Sequence, residues 1–128
     1  MPPPSSRVLP TTGDCDLEAA GYGWDAIRAP LAVGREALRI LGHRSGAAIE
    51  DPAGHFVYWF VAPGTAATWA LCDTTALGRG VSVVVPREGR TFPPGPHWRI
   101  RPGDGGRLTD PGALMAALQD AMAAGSAS

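Results

Sequence analysis

From residue 24 onward the apolar positions fall into short runs divided by turn residues, and their spacing switches between strand-like and helix-like. Residues 24–29 (WDAIRA) read as a first strand. Pro30 follows and suits a first helical turn, where its missing N–H has no partner to lose. Leu31, Leu38 and Leu41 then recur at helical spacing, with Ala37 and Ile40 beside them. This predicts a helix closing at Gly42. Residues 47–50 (AAIE) and 55–62 (HFVYWFVA) flank Asp51-Pro52-Ala53-Gly54, a strand–turn–strand signature. The second of these runs is almost continuously apolar, as a strand buried on both faces would be. Residues 64–71 have room for a short helix. Residues 80–86 (GVSVVVP) predict a strand that Pro86 ends, and residues 97–101 (HWRIR) alternate as another. Asp110 is placed to cap, and Pro111 to open, a last helix reaching about Ala124. Leu114, Leu118 and Met122 form its apolar stripe.

The predicted order is β–α–β–β–(α)–β–β–α. Its apolar faces are buried by an α+β fold: one mixed or antiparallel sheet with two main helices packed on one face. Residues 1–14, rich in Pro, Ser and Thr, read as a disordered arm, residues 15–124 as a single domain and residues 125–128 as a tail. The 128-residue length suits one domain.

Composition changes this picture little. The net charge is −1 and charged residues make up 18%, so neither a nucleic acid nor a membrane is demanded as partner. All 11 basic residues are Arg, and Lys and Asn are absent, as in the products of GC-rich genomes such as those of actinobacteria. An all-Arg surface offers planar forks suited to phosphate and carboxylate. Cys15 and Cys72 make no disulfide framework and read as reduced thiols. No run approaches the roughly 18 apolar residues of a membrane helix, and the N-terminus lacks the apolar region of a secretory signal. The expectation is a cytoplasmic protein.

Candidate chemistry is sparse. His43, His55, His97, Cys15 and Cys72 are scattered with no metal-binding spacing, so no metal is expected. Cys72 has no His near it in sequence, and burial explains it as well as nucleophilic catalysis does. The glycine-rich stretches 78–80 and 103–107 match no phosphate-loop pattern and read as turns, with anion cradling as the alternative. Arg79, Arg87, Arg90, Arg99, Arg101 and Arg107 lie within 29 residues, with His97 and Trp98 among them. Arginine interleaved with aromatics is how single-stranded nucleic acid is often held, phosphates on guanidinium and bases on rings. The alternative is a solvated charged face and a core Trp98. Glu50-Asp51 and Asp14/Asp16 are the close carboxylate pairs, although turn chemistry explains Asp51.

From Trp24 to Arg101, 78 of 128 residues, the chain resembles the C-terminal part of the primase–polymerase (Prim-Pol) domain of bifunctional replication proteins, as found in small actinobacterial proteins. The landmarks are WDAIRAP, GREALRILG, GAAIEDPAGHFVYWFVAPG, LGRGVSVVVP and GPHWRIRP. The resemblance implies the RRM-like half of a Prim-Pol domain. Family activity needs carboxylates that hold two divalent metals at a triphosphate. The first family motif, Asp-x-Asp at the end of the first strand, falls here on Arg28 and Pro30, and neither can ligate magnesium. Asp25 is three residues from Arg28, an odd offset that turns it to the opposite face of a strand. The hairpin His of the family falls near Val57, with His55 two residues earlier on the same face. The third carboxylate falls near Thr74 or Thr75, beside Asp73. The resemblance therefore implies fold and ancestry with degenerate motifs, and no polymerase activity, metal or cofactor.

The leading expectation is a catalytically silent Prim-Pol-like module with a binding or regulatory role. Its partner would be a protein, a nucleotide or single-stranded nucleic acid, met through Arg28, Arg79, Arg87, Arg90, Trp98, Arg99 and Arg101. The alternatives are an interaction protein with no nucleic-acid role, as a homodimer for example, and a small enzyme of unrecognised chemistry. Asp25, His55 and Asp73 are the candidates for a remnant pocket, and their convergence would revive the enzyme reading.

Overall fold

Seven strands and three helices follow one another as β1 (Cys15–Ala19), β2 (Asp25–Pro30), α1 (Leu31–Leu41), β3 (Ala48–Asp51), β4 (Phe56–Val61), α2 (Thr65–Thr68), β5 (Thr75–Leu77), β6 (Ser82–Pro86), β7 (His97–Ile100) and α3 (Pro111–Ala127). They are seen in a computed structural model that describes residues 15–103 and 107–127, with side chains to 125. The arm expected at 1–14 and residues 104–106 of the second glycine-rich stretch lie outside the described residues.

The fold is α+β, with five strands in one antiparallel sheet of order β5-β2-β4-β3-β7. From β2 to β5 the chain runs β-α-β-β-α-β, the order of ferredoxin-like sheets, with the second helix reduced to the single turn α2. β7 extends the sheet beyond β3, and α3 packs beside α1. The two main helices cover one face, as expected. Ile27, Ala29, Val57, Trp59 and Val61 meet Leu38, Leu41, Leu114 and Leu118 there. Each large side chain fully buried in this layer contributes about 1.5–3 kcal/mol. Trp59 also needs a partner for its N–H, and the indole donates to Ser45 Oγ at 3.2 Å. Gly34 lets α1 settle on β4, since a Cβ there would meet Val57 Cβ at 2.5 Å.

The helix ends follow the sequence signals. Gly42 takes φ +55 and donates its N–H to Leu38 O. The carboxylate of Asp110 accepts the N–H of Ala113 at 2.9 Å, capping α3. That helix runs on to Ala127, so the expected tail is mostly helical.

The structure adds what the patterning did not predict. β1 pairs with β6 in a separate two-stranded ribbon, Leu17 opposite Val84. The ribbon lies over part of the sheet face away from the helices. Val83 and Val85 press on Ile49, Phe60, Leu77 and Trp98. Phe60 meets the ring of Trp24 edge-on at 4.8 Å and stacks with Trp98 at 5.9 Å.

Candidate functional site

Beyond the ribbon, the uncovered part of the sheet face carries Arg28 on β2 and Phe56 and Tyr58 on β4. Strand alternation puts Arg28 on this face, because Ile27 and Ala29 point to the helices. In register, Arg28 stands between Tyr58 and Thr75. Its guanidinium carbon lies 4.2 Å from the centre of the Phe56 ring, a cation–π contact. One terminal nitrogen makes a long 3.4 Å bond to Thr75 Oγ1. Nε is buried and has no partner among the described residues. Arg28 and Tyr58 line a cleft of about 180 Å³ under the edge of β6, walled by Ile49, Leu77 and Val83. Asp51, Ser82 and Pro96 also line it, so the cleft holds one carboxylate as well as the under-used cation, and Arg28 is the part of it that suits a ligand's anionic group.

The other expected arginines do not join Arg28 in one groove. Arg79 lies over the Tyr22 ring at 5.0 Å and lines a different cleft, beside Asp25. Arg87 and Arg90 sit in the loop after β6, where the Arg90 guanidinium donates to Pro94 O. Arg101 lines a further cleft with Glu88. Arg99 is on the helix side of β7, bonded to Glu50 at 2.7 Å.

Trp98 requires a correction. It is 3% exposed under the ribbon, and its indole N–H is shared between Pro86 O at 3.1 Å and Arg87 O at 3.0 Å. A ring committed this way offers no stacking surface to a base. Its sealing by a second sheet was not legible from local alternation.

Asp25, His55 and Asp73 do not converge. Asp25 is 2% exposed, and one oxygen accepts the N–H groups of Gly64 and Ala66, each at 2.9 Å. That carboxylate organises the loop into α2. His55 is at the β3–β4 turn, beyond the other end of β2, and its carbonyl accepts the Leu31 N–H. Asp73 precedes β5, whose first residue pairs with Arg28, so it also lies towards the Pro30 end. The two ends of β2 are roughly 16 Å apart. His55 and Asp73 both adopt positive φ, +66 and +63, in exposed turns. Among the described residues no group of three or more His, Cys, Asp or Glu could hold a metal ion. Cys15 and Cys72 do not bridge each other.

Of the close carboxylate pair, Asp51 is a turn residue whose Oδ1 accepts the Gly54 N–H at 3.1 Å. Glu50 is the residue that sequence reasoning undervalued. It is 4% exposed, and its two oxygens accept Arg35 and Arg99, each at 2.7 Å. Burial pushes its carboxyl up, but the hydrogen bonds and charges of Arg35 and Arg99 outweigh this and hold it below the ordinary range. His97, also buried, has Nδ1 2.9 Å from Gly95 O and Nε2 4.0 Å from Glu50. The network ties α1, β3 and β7 together, and its carboxylate is already saturated by cations. The signal available in sequence was an acid embedded in an apolar strand.

No helix among the described residues is long and apolar enough to cross a membrane. Set against known protein families, curated proteins and solved structures, the chain has no match.

Proposed function

We propose that this chain is a binding module of Prim-Pol-like ancestry that lacks catalysis of its own and recognises an anionic group at the Arg28 cleft. The resemblance would put Arg28 where a metal-dependent relative needs a carboxylate, and one observation supports a binding role for it. Its guanidinium keeps a buried Nε without a partner beside a cleft of about 180 Å³. A cation so placed gains most from an incoming carboxylate or phosphate. The scatter of the remaining arginines and the burial of Trp98 weigh against a long nucleic-acid track.

The test is a binding panel: a labelled single-stranded oligonucleotide, a nucleoside triphosphate and an acidic peptide, titrated against the wild type and Arg28→Met. Met retains an apolar stem and removes the charge. At least one anion should bind the wild type and weaken by about tenfold or more in the variant, the loss expected for a charge-assisted bond. Anions that bind both proteins equally, or no binding by any of them, would overturn the reading. Template-directed nucleotide incorporation with Mg²⁺ would overturn its non-catalytic part.

A further inference from the structure

The edge of β6 that overhangs the Arg28 cleft has no strand beside it among the described residues. Among the described residues β6 pairs with β1 alone. The Ala20 N–H bonds to Val81 O at 2.8 Å, which sets the phase of the ladder, although the Val81 N–H turns to Gly78 O. Alternation along the ladder makes Glu18–Val83 and Asp16–Val85 the hydrogen-bonded pairs. The N–H and C=O groups of Ser82 and Val84 therefore point to the opposite edge. Both residues line the cleft that also holds Arg28 and Tyr58. The edge sequence, Ser-Val-Val-Val, carries none of the charges that usually guard an open strand, and only Pro86 closes its end. Val81 and Val84, at 38% and 40% exposure, leave apolar surface beside it.

We propose that an extended acidic peptide segment from a protein partner adds to β6 as a third strand and seats one carboxylate on Arg28. This names the partner of the cleft and rests on the anion-binding reading above. In such a strand every second side chain faces the sheet. Val83 faces inward, so the partner residue opposite it projects into the cleft lined by Ile49, Leu77, Arg28, Tyr58 and Asp51, where only Arg28 can pair with an acid. A volume of about 180 Å³ has room for one acidic side chain. The residues before and after it point outward beside exposed Val84 and favour apolar types. The recognised pattern is apolar–acidic–apolar in an extended chain. A second copy of this chain fits poorly. Its β6 brings no carboxylate to Arg28, and Glu18 of its β1, the residue of the right pattern, is already paired with Arg107 at 3.6 Å.

The probe is a fluorescein-labelled peptide, Thr-Val-Glu-Val-Thr blocked at both ends, followed by fluorescence anisotropy. Saturable binding is expected. It should weaken about tenfold or more with Arg28→Met and with Gln in place of the peptide Glu. Val84→Pro, which removes an edge N–H and none of the bonds to β1, should weaken it similarly. If that variant does not fold, N-methylation of the peptide backbone tests the same bonds on the intact protein. Binding that ignores both Val84→Pro and N-methylation overturns strand addition. An oligonucleotide or nucleotide that binds through Arg28 while the peptide does not overturns this inference and leaves the anion-binding reading standing. No Arg28-dependent ligand of any kind overturns both.

Discussion

Replacing Glu50 by Gln keeps the shape of the side chain and removes its charge, and the cost should depend on pH with a definite sign. The folded chain holds the Glu50 carboxyl below its ordinary value because two guanidinium groups outweigh the penalty of burial. A group held low on folding stabilises at pH above its unfolded value, near 4.3, and that contribution is lost as pH falls through the folded value. Gln can accept one bond through its carbonyl, but its NH₂ turns a donor toward a guanidinium donor. Hydrogen bonds to charged groups are each worth about 1.5–3 kcal/mol net. Arg35 and Arg99 are about half exposed and recover water when released, which puts the loss near the lower end, about 2 kcal/mol at neutral pH. For a chain of this length that lowers Tm by roughly 6–12 °C. Urea denaturation of both proteins at pH 7 and at a series of values down to 3.5 reads the difference directly. The gap should be widest at pH 7 and narrow steadily below about pH 4, as the wild-type carboxyl takes up its proton and comes to resemble Gln. A gap of constant width across the series, or none at pH 7, refutes the account of Glu50 as a charged tie.

Three further substitutions probe the framework. Gly34→Ala gains about 1 kcal/mol in helix propensity but drives a methyl into Val57, so a net loss of about 1–2 kcal/mol is expected on thermal unfolding, relieved when combined with Val57→Ala. Asp25→Ala strips the acceptor from the Gly64 and Ala66 N–H groups and should cost about 1–3 kcal/mol, with faster hydrogen exchange at those two amides. Trp98→Phe loses both indole bonds and should destabilise by about 1–3 kcal/mol in urea while leaving any oligonucleotide affinity unchanged; a selective loss of affinity would restore Trp98 as a contact.

How much of this was legible depended on the range of the cause. The hairpin at Asp51, the helix stop at Gly42 and the cap at Asp110 are local, and the sequence carries their residue signatures directly. β5 is only Thr-Ala-Leu, too short to show alternation, and it is a strand because β2 lies beside it. β1 escaped notice because it carries no apolar stripe. Opposite Val83 stands Glu18, whose carboxylate reaches Arg107 at 3.6 Å, while Leu17 looks outward. Arg107 in turn lies over Phe60 at 4.7 Å, so a charge layer replaces the apolar stripe that patterning seeks. The candidate site was half visible. Arg28 stood out from the resemblance, and Asp25 on the opposite face followed from parity. The cleft itself was hidden, because the ribbon that roofs it joins segments 67 positions apart.

That ribbon has a bearing on motion. It is hydrogen-bonded as its own ladder and is fastened to the five-stranded sheet chiefly through Val83, Val85 and the Trp98 indole, with one backbone bond, Trp98 N–H to Arg90 O, in the loop that follows it. Lifting it breaks no rung of the main ladder, whereas withdrawing β4 would break two sets of rungs and the helix-side core. The two sheets thus form units of unequal local stability, and the ribbon is the cheaper one to open. Its departure would uncover Trp98 and the part of Phe60 that Val83 and Val85 cover, so apolar surface sealed in the ground state becomes reachable through a partial unfolding event.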